Sequence, residues 1–270
     1  MTPADFDFAL TMTDIEKWGY LRADFERHVD FEPDGCFIAR QDNEYVGMIT
    51  TTSYDFFGFI GGLIVPEGYR GQGIGEMLMK KGIEYLRHKG VQTIELDAVF
   101  PAVPLYRRLG FRDKYLSLRF CRNPKKADVS EKTHLASSID DIIKFDKEKM
   151  GLNRARMLAA FSEQMPDSIY VDKQPETFGY AVVKPCAGNF SMIGPMVCDD
   201  IRNARNLLES IIVKYWDRAL LIGVPEMKED FIDLLTRSGF DFWPPSLRMH
   251  LGECAEYEKH VYAILSPGQG

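Results

Sequence analysis

Apolar positions along the chain alternate between helical spacing and the period-2 or continuous runs of strands. Thr13-Asp14-Ile15-Glu16 matches a capping box, in which Thr and Glu satisfy free amides at a helix start. The pattern then predicts a helix through Trp18, Leu21 and Phe25. Gly35–Arg40 reads as a strand and Tyr45–Ser53 as its return. Gln41-Asp42-Asn43-Glu44 forms the turn between them, from residues that tolerate the positive φ a hairpin often needs. Phe59–Val65 is a short apolar run that predicts a buried strand. Glu76–His88 places Met77, Leu78, Ile83 and Leu86 on one helical stripe and stops at Gly90, a glycine end. Val91–Val99 reads as a strand, Val103–Leu109 as a short helix ended by Gly110, and Phe111–Cys121 as a strand.

Asn123–Lys132 is polar, contains Pro124 and has no apolar period, so it reads as a linker. The order then restarts. Ile139–Lys147, Arg154–Met165, Ile201–Trp216 and Lys228–Ser238 read as helices. Ser168–Asp172, Phe178–Lys184, Phe190–Val197, Ala219–Val224 and Phe240–His250 read as strands. Gly62-Leu63-Ile64-Val65 corresponds to Gly194-Pro195-Met196-Val197, and Leu109-Gly110-Phe111 to Ser238-Gly239-Phe240. The separations of 132 and 129 residues are steady enough to indicate a diverged repeat. The expected organisation is a first domain over 1–123, a linker over 124–132 and a second domain over 133–270.

Composition narrows the classes. A chain of 270 residues with 45% hydrophobic residues can bury a substantial core without a disulfide or metal staple. Its net charge of -7 argues against a general nucleic-acid binder. Five cysteines are an odd count without CxxC spacing, which excludes a fully paired disulfide framework. That usage predicts a reducing, cytoplasmic location. The five histidines show no HxxxH spacing, so no metal is expected. Met1–Leu10 carries Asp5 and Asp7 without a basic flank and does not read as a secretory leader. No run approaches the ~18 apolar residues of a membrane span.

The most informative segment lies between the buried strand and its helix: Val65-Pro66-Glu67-Gly68-Tyr69-Arg70-Gly71-Gln72-Gly73-Ile74-Gly75. Alternate glycines let backbone N–H groups approach a ligand closely. The helix start adds free amides and the positive end of its dipole, which together make an anion site. Arg70 adds a charge at the loop mouth. There is no GxxxxGK[ST] run, and the spacing is GxGxG, not the GxGxxG of dinucleotide folds. Arg70-Gly71-x-Gly73-x-Gly75 instead resembles the pyrophosphate loop of the GNAT N-acetyltransferases, which bind acetyl-CoA. Leu105-Tyr106-Arg107-Arg108-Leu109-Gly110-Phe111 resembles the GNAT segment of a short helix ending in Tyr-x-x-x-Gly-Phe. Glu95-Leu96-Asp97-Ala98-Val99 resembles the Leu-Asp-Ala-Thr run of a GNAT subset that carries a second, degenerate GNAT-like domain. Phe145-Asp146, Gly179-Tyr180, Ile193-Gly194-Pro195 and Arg248-Met249 echo that second domain. Val99 departs from the subset's Thr, and Phe100-Pro101 stands where many GNATs have a polar residue.

The resemblance implies an α/β fold of two tandem GNAT-like domains, each a mixed, mostly antiparallel sheet flanked by helices. It implies a cofactor site at Leu63, Ile64, Val65, Arg70, Gly71, Gln72, Gly73, Ile74 and Gly75. Acetyl-CoA would be the acyl donor, an amine (a small molecule) the acceptor, and no metal, nucleic acid or membrane would take part. Tyr106 would protonate the departing CoA thiolate, a role suited to a phenol of pKa near ~10. Taken as a lone residue it reads instead as a core tyrosine whose hydroxyl caps a helix or bonds to backbone. Asp97 and Glu95 are base candidates by position and share one face of their strand, though either taken singly reads as a surface carboxylate. Aligned on the repeat, the three loop glycines fall on Asn203, Arg205 and Leu207, and Tyr106 on Leu235. The second domain is therefore expected to be catalytically silent. Competing readings are a non-catalytic acyl-CoA-binding or sensing module, and an acetyltransferase of protein lysines or N-termini. Phe56-Phe57-Gly58-Phe59 reads as core and hairpin packing, with the lining of an acceptor pocket as the alternative; Trp216 and Trp243 read as core, and Pro244-Pro245 as a bend.

Overall fold

Two helices open the chain where the apolar spacing predicts one. In a computed structural model, which describes residues 1–126, 138–266 and 268, α1 spans Phe6–Ile15 and α2 spans Arg22–Phe31. The segment read as a capping box is instead the end of α1. Thr13 is buried and its hydroxyl donates back to Leu10 O at 3.0 Å, so it cannot cap a following helix. Lys17 and Gly19 take positive φ and break the helix, with Trp18 in the break. The first turn is fixed further upstream, where Asp5 Oδ2 accepts from the Thr2 amide (2.7 Å) and hydroxyl (3.0 Å).

The remaining elements follow the expected order, with one unexpected strand at the end. Strands β1 (Phe37–Gln41), β2 (Glu44–Tyr54) and β3 (Phe57–Ile64) precede helix α3 (Ile74–His88), strand β4 (Thr93–Ala98), helix α4 (Val103–Arg108) and strand β5 (Arg112–Arg122). Asp42 and Asn43 supply the positive φ of the β1–β2 turn, as their chemistry predicts. The second half holds α5 (Ile139–Met150), α6 (Ala155–Gln164), β6 (Ile169–Lys173), β7 (Phe178–Cys186), β8 (Phe190–Cys198), α7 (Ile201–Lys214), β9 (Ala219–Pro225), α8 (Glu229–Arg237), β10 (Asp241–Leu251) and β11 (Val261–Ala263). Residues 127–132 of the expected linker, and 133–137 after it, lie outside the described residues.

The chain forms two units. Unit 1 holds Met1–Lys114, Leu247–Cys254 and Gly268; unit 2 holds Tyr115–Ser246 and Ala255–Ser266. In unit 1, β1, β2 and β3 run antiparallel, β3 and β4 parallel, and Leu247–Leu251 of β10 pairs antiparallel with β4. Side-chain alternation along β2 divides its faces. Met48 joins Ile64, Phe6, Ala9 and Phe25 in a core under α1 and α2. Ile49 and Thr51 turn the other way, against α3 at Gly82.

Unit 2 repeats the plan. Its β6, β7 and β8 are antiparallel, β8 and β9 parallel, and β9 and β5 antiparallel. Ile193, Met196, Leu207, Ile211, Phe231 and Leu235 form the centre of its core. Each fully buried side chain of this kind contributes about 1.5–3 kcal/mol of transfer free energy. Both units are mixed, mostly antiparallel sheets flanked by helices, which is the expected fold class. One expectation fails here: Trp216 and Trp243 are 45% and 47% exposed rather than core. Pro244 and Pro245 lie within β10. Phe57 and Phe59 are buried, and Phe56 is exposed in the turn between β2 and β3. Among the described residues, no helix is long and apolar enough to cross a membrane.

Candidate active site

The site begins with a gap between two parallel strands. β3 pairs with β4 from Phe57 opposite Thr93 to Phe59 opposite Glu95. The pairing stops there, although β3 runs on to Ile64 and β4 to Ala98. On its other edge β3 stays paired with β2, through an irregularity between Met48 and Thr50. Such a bulge adds a residue to one strand and increases its twist. Gly62, at φ 60°, takes up that irregularity. The backbone of Leu63, Ile64 and Val65 therefore borders the gap. The Ile64 side chain is committed to the core under α1 and α2, so this residue can offer a ligand only its backbone.

The glycine loop leads from Val65 to the start of α3. Gly71 and Gly73 sit at φ 78° and 84°, a region that costs other residues about 1–2 kcal/mol. An added Cβ at either would meet nothing within 4 Å. Their space opens away from the protein, as a cradle for an external group requires. Gly73 is the N-cap of α3 and provides no side-chain cap. The first-turn amides, which have no intrahelical partner, thus face outward with the positive end of a 15-residue helix behind them. Gly75 lies inside the first turn, where a Cβ would be 3.7 Å from Leu105 and 3.8 Å from Val65. The strand end, the helix start and α4 therefore converge. Ile74 covers Gly47 of β2, and Gln72 donates to Gly68 O at 3.3 Å. Arg70 is exposed and folds back along the loop: its Nε donates to Val65 O (2.8 Å) and its guanidinium pairs with Glu16 (2.8 Å). It ties the loop to Val65 and to the end of α1 and leaves the first-turn amides clear.

Tyr106 lies on α4, next to Leu105. Its ring packs edge-on against Phe111 at 6.1 Å. Burial pushes the phenol up to about 12, so it keeps its proton at neutral pH. The residue is 7% exposed and its hydroxyl has no hydrogen-bond partner among the described residues. A core tyrosine would ordinarily find one.

Glu95 and Asp97 do share a face, but neither is a surface carboxylate. Arg248, from β10, is fully buried and donates to Asp97 through Nε (3.1 Å) and Nη2 (3.0 Å), and to Glu95 through Nη1 (3.3 Å). Lys114 donates to the other oxygen of Glu95 at 2.6 Å. The Arg248 guanidinium also lies 4.9 Å over the Phe59 ring. Two carboxylates are thus paired with two cations. Sequence reasoning noted Arg248 but could not place it, because its partners lie more than 150 residues away. Among the described residues, no group of three or more His, Cys, Asp or Glu could hold a metal ion.

Unit 2 has the same gap, filled. β8 and β9 pair from Phe190 opposite Ala219 to Ile193 opposite Ile222, then part. β11 occupies the opening, with Val261 and Ala263 paired to β8 and the Ile264 amide donating to Gly223 O at 2.9 Å. At the start of α7, Asp200 caps the helix by accepting from the Arg202 (2.8 Å) and Asn203 (3.2 Å) amides. The residues expected to block a loop, Asn203, Arg205 and Leu207, lie within α7 itself. The repeat spacing shortens to 127 residues there, Ile74 corresponding to Ile201, so the loop's counterpart is Cys198–Asp200. Leu235 does stand where Tyr106 does: Phe240 N bonds to Leu235 O as Phe111 N bonds to Tyr106 O, both at 3.1 Å.

Comparison with known proteins agrees with this geometry. The model of the acetyltransferase (GNAT) family matches residues 7–111, and that of an acetyltransferase (GNAT) domain matches 142–263. A holothin acyltransferase from Pseudoalteromonas sp. (strain SANK 73390) is 24% identical over 258 residues, spanning 93% of this chain and 86% of that protein. A solved structure from Pyrococcus horikoshii, described as an acetyltransferase, is 26% identical with a TM-score of 0.83, covering 100% of this chain and 94% of that one. A tandem GNAT protein from the clavulanic acid biosynthesis pathway shares the fold at a TM-score of 0.62 and 13% identity, covering 93% and 97% of the two chains.

Proposed function

The chain belongs to the acetyltransferase (GNAT) family, with two such domains in tandem, and from that premise we propose that unit 1 transfers an acetyl group from acetyl-CoA directly to an amine, a small molecule being the acceptor. One observation carries the reading: an uncapped helix start, preceded by Gly71 and Gly73 opening onto empty space, lies beside a strand whose backbone has lost its partner. That arrangement fits an anionic group joined to an amide-bearing arm. Acetyl-CoA, when bound, supplies the activated acetyl group.

The protein's own part divides among few residues. The amides of Gln72, Gly73, Ile74 and Gly75, with the helix dipole, hold the anionic end. Arg70 keeps the loop in register through Val65 and Glu16. The backbone of Leu63, Ile64 and Val65 binds the arm across the gap. An N–H there stabilises negative charge as it develops on the transferring carbonyl. Tyr106 holds a proton at its hydroxyl for the departing thiolate. Holding amine and thioester together supplies the larger part of the rate. Glu95 and Asp97 are not proposed as bases, because Arg248 and Lys114 claim their oxygens; they hold β4 to Leu247–Leu251.

The test is acetyl-CoA consumption, read as free thiol, against a panel of amines, amino acids and short peptides. We expect amine-dependent release with the wild type. Tyr106→Phe should lower kcat about 10²-fold or more with CoA affinity retained. Gly73→Asp should lose CoA binding. Binding of acetyl-CoA without amine-dependent release would overturn catalysis, and full turnover by Tyr106→Phe would remove the acid role.

A further inference from the structure

The face of unit 1 opposite α3 carries a backbone contact at the point where β3 leaves β4. Gly61 lies directly across from Thr50 and two residues past Phe59, the last residue paired to β4. Its own backbone does not need glycine, since its φ is not positive. What needs glycine is its neighbour. A Cβ at Gly61 would lie 2.5 Å from Gly268 Cα and 2.7 Å from Gly268 C, with Gly268 O closer still. Glycine inside a strand commonly marks such an approach by another backbone. Gly268 is buried there.

Beside this seat, Thr50 and Thr52 are 1% and 2% exposed, and their hydroxyls have no hydrogen-bond partner among the described residues. Buried hydroxyls are normally satisfied, and leaving one unmade costs about 1–3 kcal/mol. Two in alternate positions on one strand face mark a polar surface that lacks its partner. The glycine loop and α3 lie toward the other face, where Ile74 and Leu78 cover Gly47. The seat is therefore on the side from which an acceptor would approach the gap.

We propose that the Gly268 backbone, seated on Gly61, is the acceptor-side wall of the site and a determinant of acceptor size. It admits slim primary amines, whose polar atoms Thr50 and Thr52 receive, and turns away amines with bulk next to the nitrogen. This rests on the reading of unit 1 as the acetyl-transfer site.

Three variants of the full protein test it: Gly61→Ala, a chain ended at Ser266, and the two combined. Amide exchange reports the seat without activity, and thiol release with paired slim and branched amines reports the wall. Gly61→Ala should speed exchange at Gly268. Both single variants should raise the branched-to-slim ratio of kcat/KM by about tenfold, the scale of a steric exclusion in a pocket. The combined variant should match the shortened chain, because the added methyl then has nothing to displace. An equal further change in the combined variant would place that methyl against the acceptor itself and overturn the wall. Unchanged exchange at Gly268, or unchanged ratios in variants that acetylate, would overturn it too. Faster exchange with no amine acetylated by any variant would overturn the acetyl-transfer reading, and the wall with it.

Discussion

Arg248 shows how one buried side chain can look like part of the chemistry and serve the scaffold. It is fully buried, and its planar fork meets Asp97 through two nitrogens while a third reaches Glu95. A lysine offers a single point charge and cannot reproduce that geometry. Arg248→Ala would remove the guanidinium from both Asp97 and Glu95, while Lys114 would still donate to Glu95. Breaking a buried pair from one side costs about 3–5 kcal/mol. Denaturant unfolding of Arg248→Ala should show a loss of that order, and Arg248→Lys should recover only part of it. A variant unfolding at the wild-type midpoint would remove Arg248 as a structural tie. Tyr106 is the opposite case, a buried ring whose hydroxyl takes no hydrogen-bond partner among the described residues. The two could not be told apart from sequence. Strand alternation puts Glu95 and Asp97 on one face, but a partner at position 248 is invisible to any local pattern.

Elements follow the same division between local and distant causes. Glu32 ends α2 and gathers three elements: it accepts from the Ser53 amide (2.8 Å) and hydroxyl on β2, and from Tyr85 (2.6 Å) and Lys89 (2.7 Å) at the end of α3. Burial alone would raise its pKa, but the hydrogen bonds from Lys89, Ser53 and Tyr85 outweigh that and hold it below the usual carboxylate value. A depressed carboxylate gives stability that is fully present above the unfolded pKa and is lost as pH falls through the folded one. Glu32→Gln should therefore be less stable than wild type at neutral pH, with the difference shrinking below about pH 4.5. Unfolding midpoints across that range would show it, and a constant difference would contradict the linkage. The helices and strands around this hub were legible because period and turn chemistry are local. The break at Lys17–Gly19 was not, because Thr13 chose its bond to Leu10 over capping. The short strand β11 was not either, since only the space between β8 and β9 makes it a strand.

At the scale of the molecule, the repeat was readable in its glycine and phenylalanine landmarks, while the alignment that placed the loop's counterpart on Asn203–Leu207 was displaced. The glycine replacements Asn203, Arg205 and Leu207 lie in a helix and block nothing. Two other features of unit 2 stand where a ligand would bind. Asp200 puts a carboxylate on the α7 amides, where unit 1 leaves an uncapped start. β11 then fills the gap that β3 and β4 leave open in unit 1. The Asp200 cap was within reach of sequence reasoning, since an Asp directly before an apolar-periodic run is a helix-start signal. Together they predict one CoA equivalent per chain by calorimetry, abolished entirely by Gly73→Asp. Asp200→Ala separates the two features. It should cost about 1 kcal/mol as a lost cap and free the α7 amides, yet add no second equivalent, because β11 still occupies the gap. A second equivalent in that variant would make the carboxylate the only barrier. Two equivalents in the wild type would mean that neither feature excludes the ligand.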